Sequence, residues 1–368
     1  MTVICSFALC RRVCRRRASR GEDLLEETGK LKAAIDVNDL DSVKGLMVRN
    51  PALHRAPLGY ANNGPLTWVA ECRIPEGPPA PARLAIARWM IENGSDPHQG
   101  GDGPLMRAAL CGERIPMMEL LVAHGANVNA AWNGAYPILF APCETVDPAG
   151  IRWLLEHGAD PNCPNLGSRI TALDYLIRTY VRSPALPGCI DLLAGAGGRT
   201  QYDLPGVLDI LRNRVDLLAA RLDRNPKLVE WRFAGLDIGN TGARRLSLGG
   251  ATLLHVAAEF GNVAAAGLLL ERGASVNARA WLDAAGIGGQ TPIFHAVTQF
   301  DDRGLPMTRL LLEQGADLSV RAKLPGHYER PDEVVEGTAL EYALRFPGVE
   351  FPGANGKTLG LLRERGRA

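Results

Sequence analysis

Four features of this 368-residue chain could carry chemistry: seven histidines, eight cysteines, a Gly-Lys-Thr triplet and acids paired in two loops. Gly356-Lys357-Thr358 matches the end of a loop whose backbone N–H groups cradle a phosphate. Such a loop needs a glycine five residues earlier, where the chain has Phe351, and no strand pattern precedes it. The triplet is therefore expected to cap the last helix. Asp301-Asp302 and Asp332-Glu333 read as solvated loop charges. His124 and His157 each stand just before a glycine that closes a helical pattern, where a cation is favourable. His54, His98 and His327 fall in loops, and no two histidines are spaced to share a metal. G-x-S-x-G, H-E-x-x-H and G-x-G-x-x-G do not occur. No catalytic, cofactor-binding or metal-ligating residue is assigned, and neither an enzyme activity nor a cofactor is expected.

The cysteines lie at 5, 10, 14, 72, 111, 143, 163 and 189, with none in the last 179 residues. A disulfide framework is not expected, and reduced thiols suit a cytoplasmic location. Cys5, Cys10 and Cys14 lack paired zinc spacing and a nearby fourth ligand. A net charge of +1 gives no general nucleic-acid signal, and 46% hydrophobic residues are ample for a large core. No apolar run approaches the roughly 18 residues that span a membrane. Residues 1–21 put an apolar run before Arg11-Arg12 and Arg15-Arg16-Arg17, the reverse of a secretory signal. They read as a disordered basic arm. The sharper alternative is a contact to nucleic acid or lipid headgroups through Arg11 to Arg20.

The elements that must position these residues recur along the chain. The clearest copy is Gly249-Gly-Ala-Thr-Leu-Leu-His-Val-Ala-Ala-Glu-Phe-Gly-Asn262, running on to Leu268-Leu-Leu-Glu-Arg-Gly-Ala-Ser-Val-Asn277. Thr252 suits a helix N-cap, Ala257 and Ala258 keep the helix slim, and Gly261 and Gly273 suit left-handed helix ends. Other copies centre on 64–98, 102–129, 136–162, 171–196, 291–319 and 338–365, with a degenerate pair at 207–222. The first closing glycines, 94, 125, 158 and 195, are 31, 33 and 37 residues apart. One helix pair of this kind cannot bury its apolar face alone, so stacking of neighbours must complete the core.

These residues resemble the ankyrin repeat, T-P-L-H-x-A-A-x-x-G followed by L-L-x-x-G-A-x-x-N, whose period is about 33 residues. Only the Pro is replaced in the clearest copy, by Leu253. The resemblance covers roughly residues 25–365. It implies an all-α solenoid of about nine helix pairs with finger-like loops. It also implies that His255, at the motif position, hydrogen-bonds backbone groups between repeats. His295 falls one place after that position, which holds Phe294, and has no assigned role.

The pattern restarts midway. Residues 213–228 align without gaps to 38–53, with six of sixteen positions identical, including Arg-Asn-Pro-x-Leu. Two arrays in tandem are expected, at 22–200 and 201–368, with an irregular joint near 197–250. Nearest-neighbour coupling should be weak at that joint, so proteases should cut first near 233–250 or at the N-terminal arm.

The family binds mostly proteins, through finger tips and concave helix faces. This implies a non-catalytic, monomeric scaffold for another protein, with no small-molecule substrate. The alternatives are an adaptor working through the Arg-rich arm and a regulator or inhibitor of a neighbouring gene's product. Trp68, Trp89 and Trp153 lie on helices as packing residues. Trp132 and Trp281 follow a closing motif and are expected in the projecting turns. Glu259 and Phe260 fill the variable positions before Gly261 on the expected concave side, and Arg169 and Gln290 hold the variable position before the motif Thr. These six residues are the expected partner contacts.

Overall fold

The computed structural model describes residues 24–71, 77–240, 244–326, 330, 332–345 and 356–366. The Arg-rich arm, Cys5, Cys10, Cys14, Cys72, His327 and Phe351 lie outside them. The chain forms two compact units, one up to Ala172 and one from Leu173 on.

Among the described residues of the first unit there are four helix pairs. They are α1 (24–36) with α2 (Leu40–Arg49), α3 (Pro65–Val69) with α4 (Pro81–Glu92), α5 (Gln99–Ala108) with α6 (Ile115–Ala123), and α7 (Phe140–Thr145) with α8 (Pro148–Glu156). A two-stranded hairpin, β1 (Ala131–Trp132) and β2 (Tyr136–Pro137), projects between the third and fourth pairs, with Trp132 opposite Tyr136. The first turn of α5 is irregular, because Gly100, Gly101 and Asp102 all take positive φ.

Among its described residues the second unit has five pairs. They are α9 (Ala172–Arg178) with α10 (Leu186–Gly195), α11 (Val207–Leu211) with α12 (Val215–Arg224), α13 (Leu253–Glu259) with α14 (Val263–Glu271), α15 (Pro292–Val297) with α16 (Leu305–Glu313), and α17 (Ala339–Ala343) with α18 (Gly356–Arg365). β3 (Ala322–Pro325) and β4 (Val334–Gly337) form an antiparallel finger pairing Lys323 with Glu336. The nine pairs among the described residues, mostly helical with two short hairpins, make the expected solenoid architecture.

One device closes most outer helices. At Gly94, Gly125, Gly158, Gly273 and Gly315, φ lies between 85° and 116°. The next residue then donates its N–H five residues back, as Ala126 does to Leu121 at 3.1 Å and Ala274 to Leu269 at 2.9 Å. This is the helix stop for which glycine is chosen. In the fifth pair the stop is two residues later than its sequence suggests. Helix α10 continues through Gly195, Gly197 takes φ 84°, and Gly198 donates to Leu193. The motif asparagines then stitch repeats together. Asn129 donates to the Gly158 carbonyl at 2.8 Å and accepts from the Asp160 N–H at 2.7 Å, and Asn277 does the same with Gly315 and Asp317.

The stretch following the α11–α12 pair is no loose linker. Phe233, Leu236, Ile238, Leu246 and Leu248 are buried, and Phe233 pairs with Ala251. Burial of this apolar surface ties it to the second unit.

Candidate partner-binding surface

Helix α13 is buried along its whole length, as its short Ala-rich sequence permits. Its N-terminus is held by His255, whose Nδ1 lies 2.9 Å from the Thr252 hydroxyl and accepts the Thr252 N–H at 3.2 Å. Its Nε2–H donates to the Gln290 carbonyl of the next repeat at 3.1 Å. Burial, with His295 nearby, pushes the His255 pKa down to about 3, so the ring is neutral. The inter-repeat role implied by the motif is the one observed.

The other end of α13 carries Glu259, whose side chain is fully buried. Three elements converge on its carboxylate. Arg182, from the link between α9 and α10, reaches Oε1 at 2.7 Å; Arg244, from the irregular stretch, reaches Oε2 at 2.8 Å; His295, on α15, reaches Oε2 at 2.7 Å. Gln299 donates to the Glu259 carbonyl at 3.0 Å. Burial alone would raise the Glu259 pKa, but Arg244, Arg182 and His295 outweigh it and hold it at about 2. Burial lowers the His295 pKa against the pull of Glu259, so His295 Nδ1–H serves as a neutral donor. The cluster is a charge clamp that ties three elements of the second unit to α13.

Glu259, expected on the open concave side, is therefore interior. The same correction applies to Gln290, which is buried and donates to the Ser247 carbonyl at 2.9 Å while receiving His255. Phe260 stays half-buried, with the Arg182 guanidinium 4.7 Å from its ring centre. Trp281 keeps 52% of its surface exposed. Its other side rests on Gly250, where φ is 70° and an added Cβ would fall 2.5 Å from the Trp281 Cβ. Trp231 and Leu282 in this unit are exposed too.

In the first unit Trp132 is half-buried within a run of rings: Tyr60 at 5.3 Å and Tyr136 at 6.2 Å. Tyr60 is 46% exposed and rests on Arg107, 4.6 Å from its ring centre, and Arg107 is itself fixed by two hydrogen bonds to Glu71. Arg169 is exposed at the tip of a turn, with φ 57°. Trp132 and Arg169 belong to the first unit and the other four expected contacts to the second.

The Gly-Lys-Thr triplet is the expected helix cap. Asp302 accepts the Lys357 and Thr358 N–H groups at 3.1 and 2.8 Å, so a carboxylate holds the donors that a phosphate would need. Sequence reasoning missed Tyr60, Arg182, Arg244, His295 and Trp231. His295 offered a signal, as a histidine beside the motif position; the two arginines lie in insertions with no periodicity to place them.

A family model described as ankyrin repeats (3 copies) matches residues 81–165 and 217–322, just over half of the chain. The crystal structure of the human ASB11 ankyrin repeat domain is 25% identical, with a TM-score of 0.36, covering 71% of this chain and 97% of that one. No curated protein matches.

Proposed function

Because this chain belongs to the ankyrin-repeat family, we propose that it is a non-catalytic scaffold that binds another protein through its finger loops. The observation that carries this reading is Trp281. Its ring has a seat built over Gly250, yet 52% of its surface faces solvent. A large ring held rigidly in the open loses little entropy on binding and supplies apolar area to a partner. Phe260, Trp132 and Arg169 are the remaining contact candidates, while Glu259 and Gln290 act from within by fixing the loops. The protein works as a monomer in the cytoplasm. Cys111, Cys143, Cys163 and Cys189 carry thiols and not disulfides, which fits a reducing compartment. No helix among the described residues is long and apolar enough to cross a membrane.

The test is a pull-down with the full chain, followed by mass spectrometry and affinity measurement on the captured protein. Trp281→Ala should weaken capture while the melting temperature barely moves. Unchanged affinity in both Trp281→Ala and Trp132→Ala would sink the finger-loop reading. Loss of the partner only on deleting residues 1–20 would move recognition to the basic arm.

A further inference from the structure

Three successive fingers of the second unit place an arginine at the same structural position. Arg232, Arg279 and Arg321 each precede a buried apolar residue, Phe233, Ala280 and Ala322. The intervals are unequal, 47 and 42 residues, so loops of different length bring one residue type into a row. Each guanidinium reaches along the row to the next finger. Arg232 Nη1 donates to the Arg279 carbonyl, and Arg279 Nη2 donates to the Arg321 carbonyl at 2.7 Å. Arg321 ends the row on a carboxylate, with its Nη1 3.0 Å from Glu341 Oε2.

The row is neutralised at that end only. Arg232 and Arg279 meet backbone carbonyls, and neither pairs with a carboxylate among the described residues. The nearby acids are engaged elsewhere. Glu230 accepts the Ser275 N–H at 2.7 Å, and Asp283 accepts those of Ala285 and Ile287 at 2.8 and 2.9 Å. Lys323 stands opposite Glu336 across its hairpin and adds little net charge. Like charges on adjacent extended segments repel, so an added anion would relieve the row. Arg232 also keeps its most useful edge open. It donates with Nη1, which leaves the Nε–H and Nη2 groups side by side. Arg107 holds Glu71 with that same edge, at 3.0 and 2.7 Å. Trp281 sits beside this row. Its N–H donates to the Gly250 carbonyl at 3.3 Å, and the Gly250 N–H donates to the carbonyl of Phe233, the residue after Arg232, at 2.7 Å.

We propose that these fingers bind an acidic segment of a protein partner, with carboxylates on Arg232 and Arg279 and an apolar side chain against Trp281. The inference rests on the finger-loop reading of Trp281 and adds the chemistry of the partner. A side-on guanidinium edge matches a carboxylate in paired hydrogen bonds, and the exposed part of the ring matches an apolar neighbour. Two open arginines favour a peptide over a nucleic acid, because affinity for a nucleic acid grows with each phosphate neutralised. The chain's net charge of +1 supplies no wider positive field to add to them.

The full chain is panned against a display library of random peptides, and the enriched sequences are synthesised for fluorescence anisotropy. Enriched peptides should carry aspartates or glutamates beside an aromatic residue or leucine. Arg232→Gln and Arg279→Gln should each weaken their binding about 5-fold and flatten its dependence on salt. Arg309→Gln, exposed on the outer helix α16, should leave binding unchanged. Peptides without an acidic bias, no enrichment at all, or wild-type binding by both arginine variants overturn the proposal. An oligothymidine that binds more tightly through the same arginines overturns it in favour of a nucleic acid. Should Arg232→Gln fail to fold, Arg279→Gln and the wild-type enrichment decide. Trp281→Ala separates this inference from the reading beneath it. If it alone weakens binding, the fingers are the site and their acidic preference is refuted; if all three variants bind like wild type, both fall.

Discussion

Replacing Glu259 by Gln should be among the most damaging single changes in the second unit. The substitution keeps the shape of the side chain and removes the charge. Arg244 stays fully buried and Arg182 nearly so, with a neutral amide in place of the carboxylate that both pair with. Breaking a buried ion pair from one side costs about 3–5 kcal/mol. The depressed pKa that these same contacts give Glu259 points to a cost of the same order. The folded pKa of about 2 lies below the ordinary 4.5, a difference corresponding to about 3 kcal/mol. Because the folded value is depressed, this stability is present above pH 4.5 and is lost as pH falls towards 2. A unit of this size loses about 2–4 °C per kcal/mol, so the melting temperature should drop by about 6–20 °C at pH 7. Thermal melts followed by circular dichroism measure it. The double variant Glu259→Gln/Arg244→Met removes one stranded cation and should recover part of the loss. A drop of under about 1 °C in Glu259→Gln, or strict additivity in the double variant, would refute a working charge clamp.

Four further outcomes are expected. His255→Ala should cost more than His295→Ala, because it removes the acceptor of the buried Thr252 N–H, at about 1–3 kcal/mol, and one of two donors to the Gln290 carbonyl, which keeps the Ala280 N–H, whereas Glu259 keeps two arginines without His295; equal melting shifts would contradict this. On acidification His255 should act before Glu259: the unfolded chain protonates it near 6.5 and the folded chain only near 3, so stability falls between those values, and a His255→Gln variant should show a flatter melting-versus-pH curve there. Trp281→Ala should weaken partner binding about 5- to 10-fold, the worth of burying its exposed half, with little change in melting; a fall in melting with affinity intact would make Trp281 structural. Limited proteolysis of the native chain should spare residues 233–240, whose apolar side chains are buried, and early cleavage there would show that they detach.

The repeat itself was legible because each part of it answers a local demand. Thr252 and His255 fix a helix start, Gly273 a helix stop, and Asn277 a link to the next repeat, and none of these depends on distant sequence. Where that local demand is shared between two residues, the reading slipped. Gly195 and Gly197 both offer a stop after α10, and the choice rests on which turn lets Gly198 reach Leu193. The site was less legible, since exposure is a property of neighbours. Trp281 could be placed on a finger from its spacing, but its seat over Gly250 lies 31 residues away in the chain. Trp231, equally exposed, follows no motif that would mark it.

Glu259 shows why a variable position need not be an open one. Glu259 and Phe260 are the variable pair before the inter-helix glycine, Gly261. Here two departures from the repeat supply a cover. The link between α9 and α10 brings Arg182, and the irregular stretch before α13 brings Arg244, with the Asn240 carbonyl accepting from Arg182 as well. Both insertions carry cations to the one acid, so the covered face is electrostatically specified and not merely filled. A partner of the second unit therefore cannot use the helix face at Glu259 without displacing a fully buried ion cluster, at a cost of several kcal/mol. Docking on the finger side, where Trp281 is already desolvated on one face and held by backbone contact to Gly250, carries no such cost.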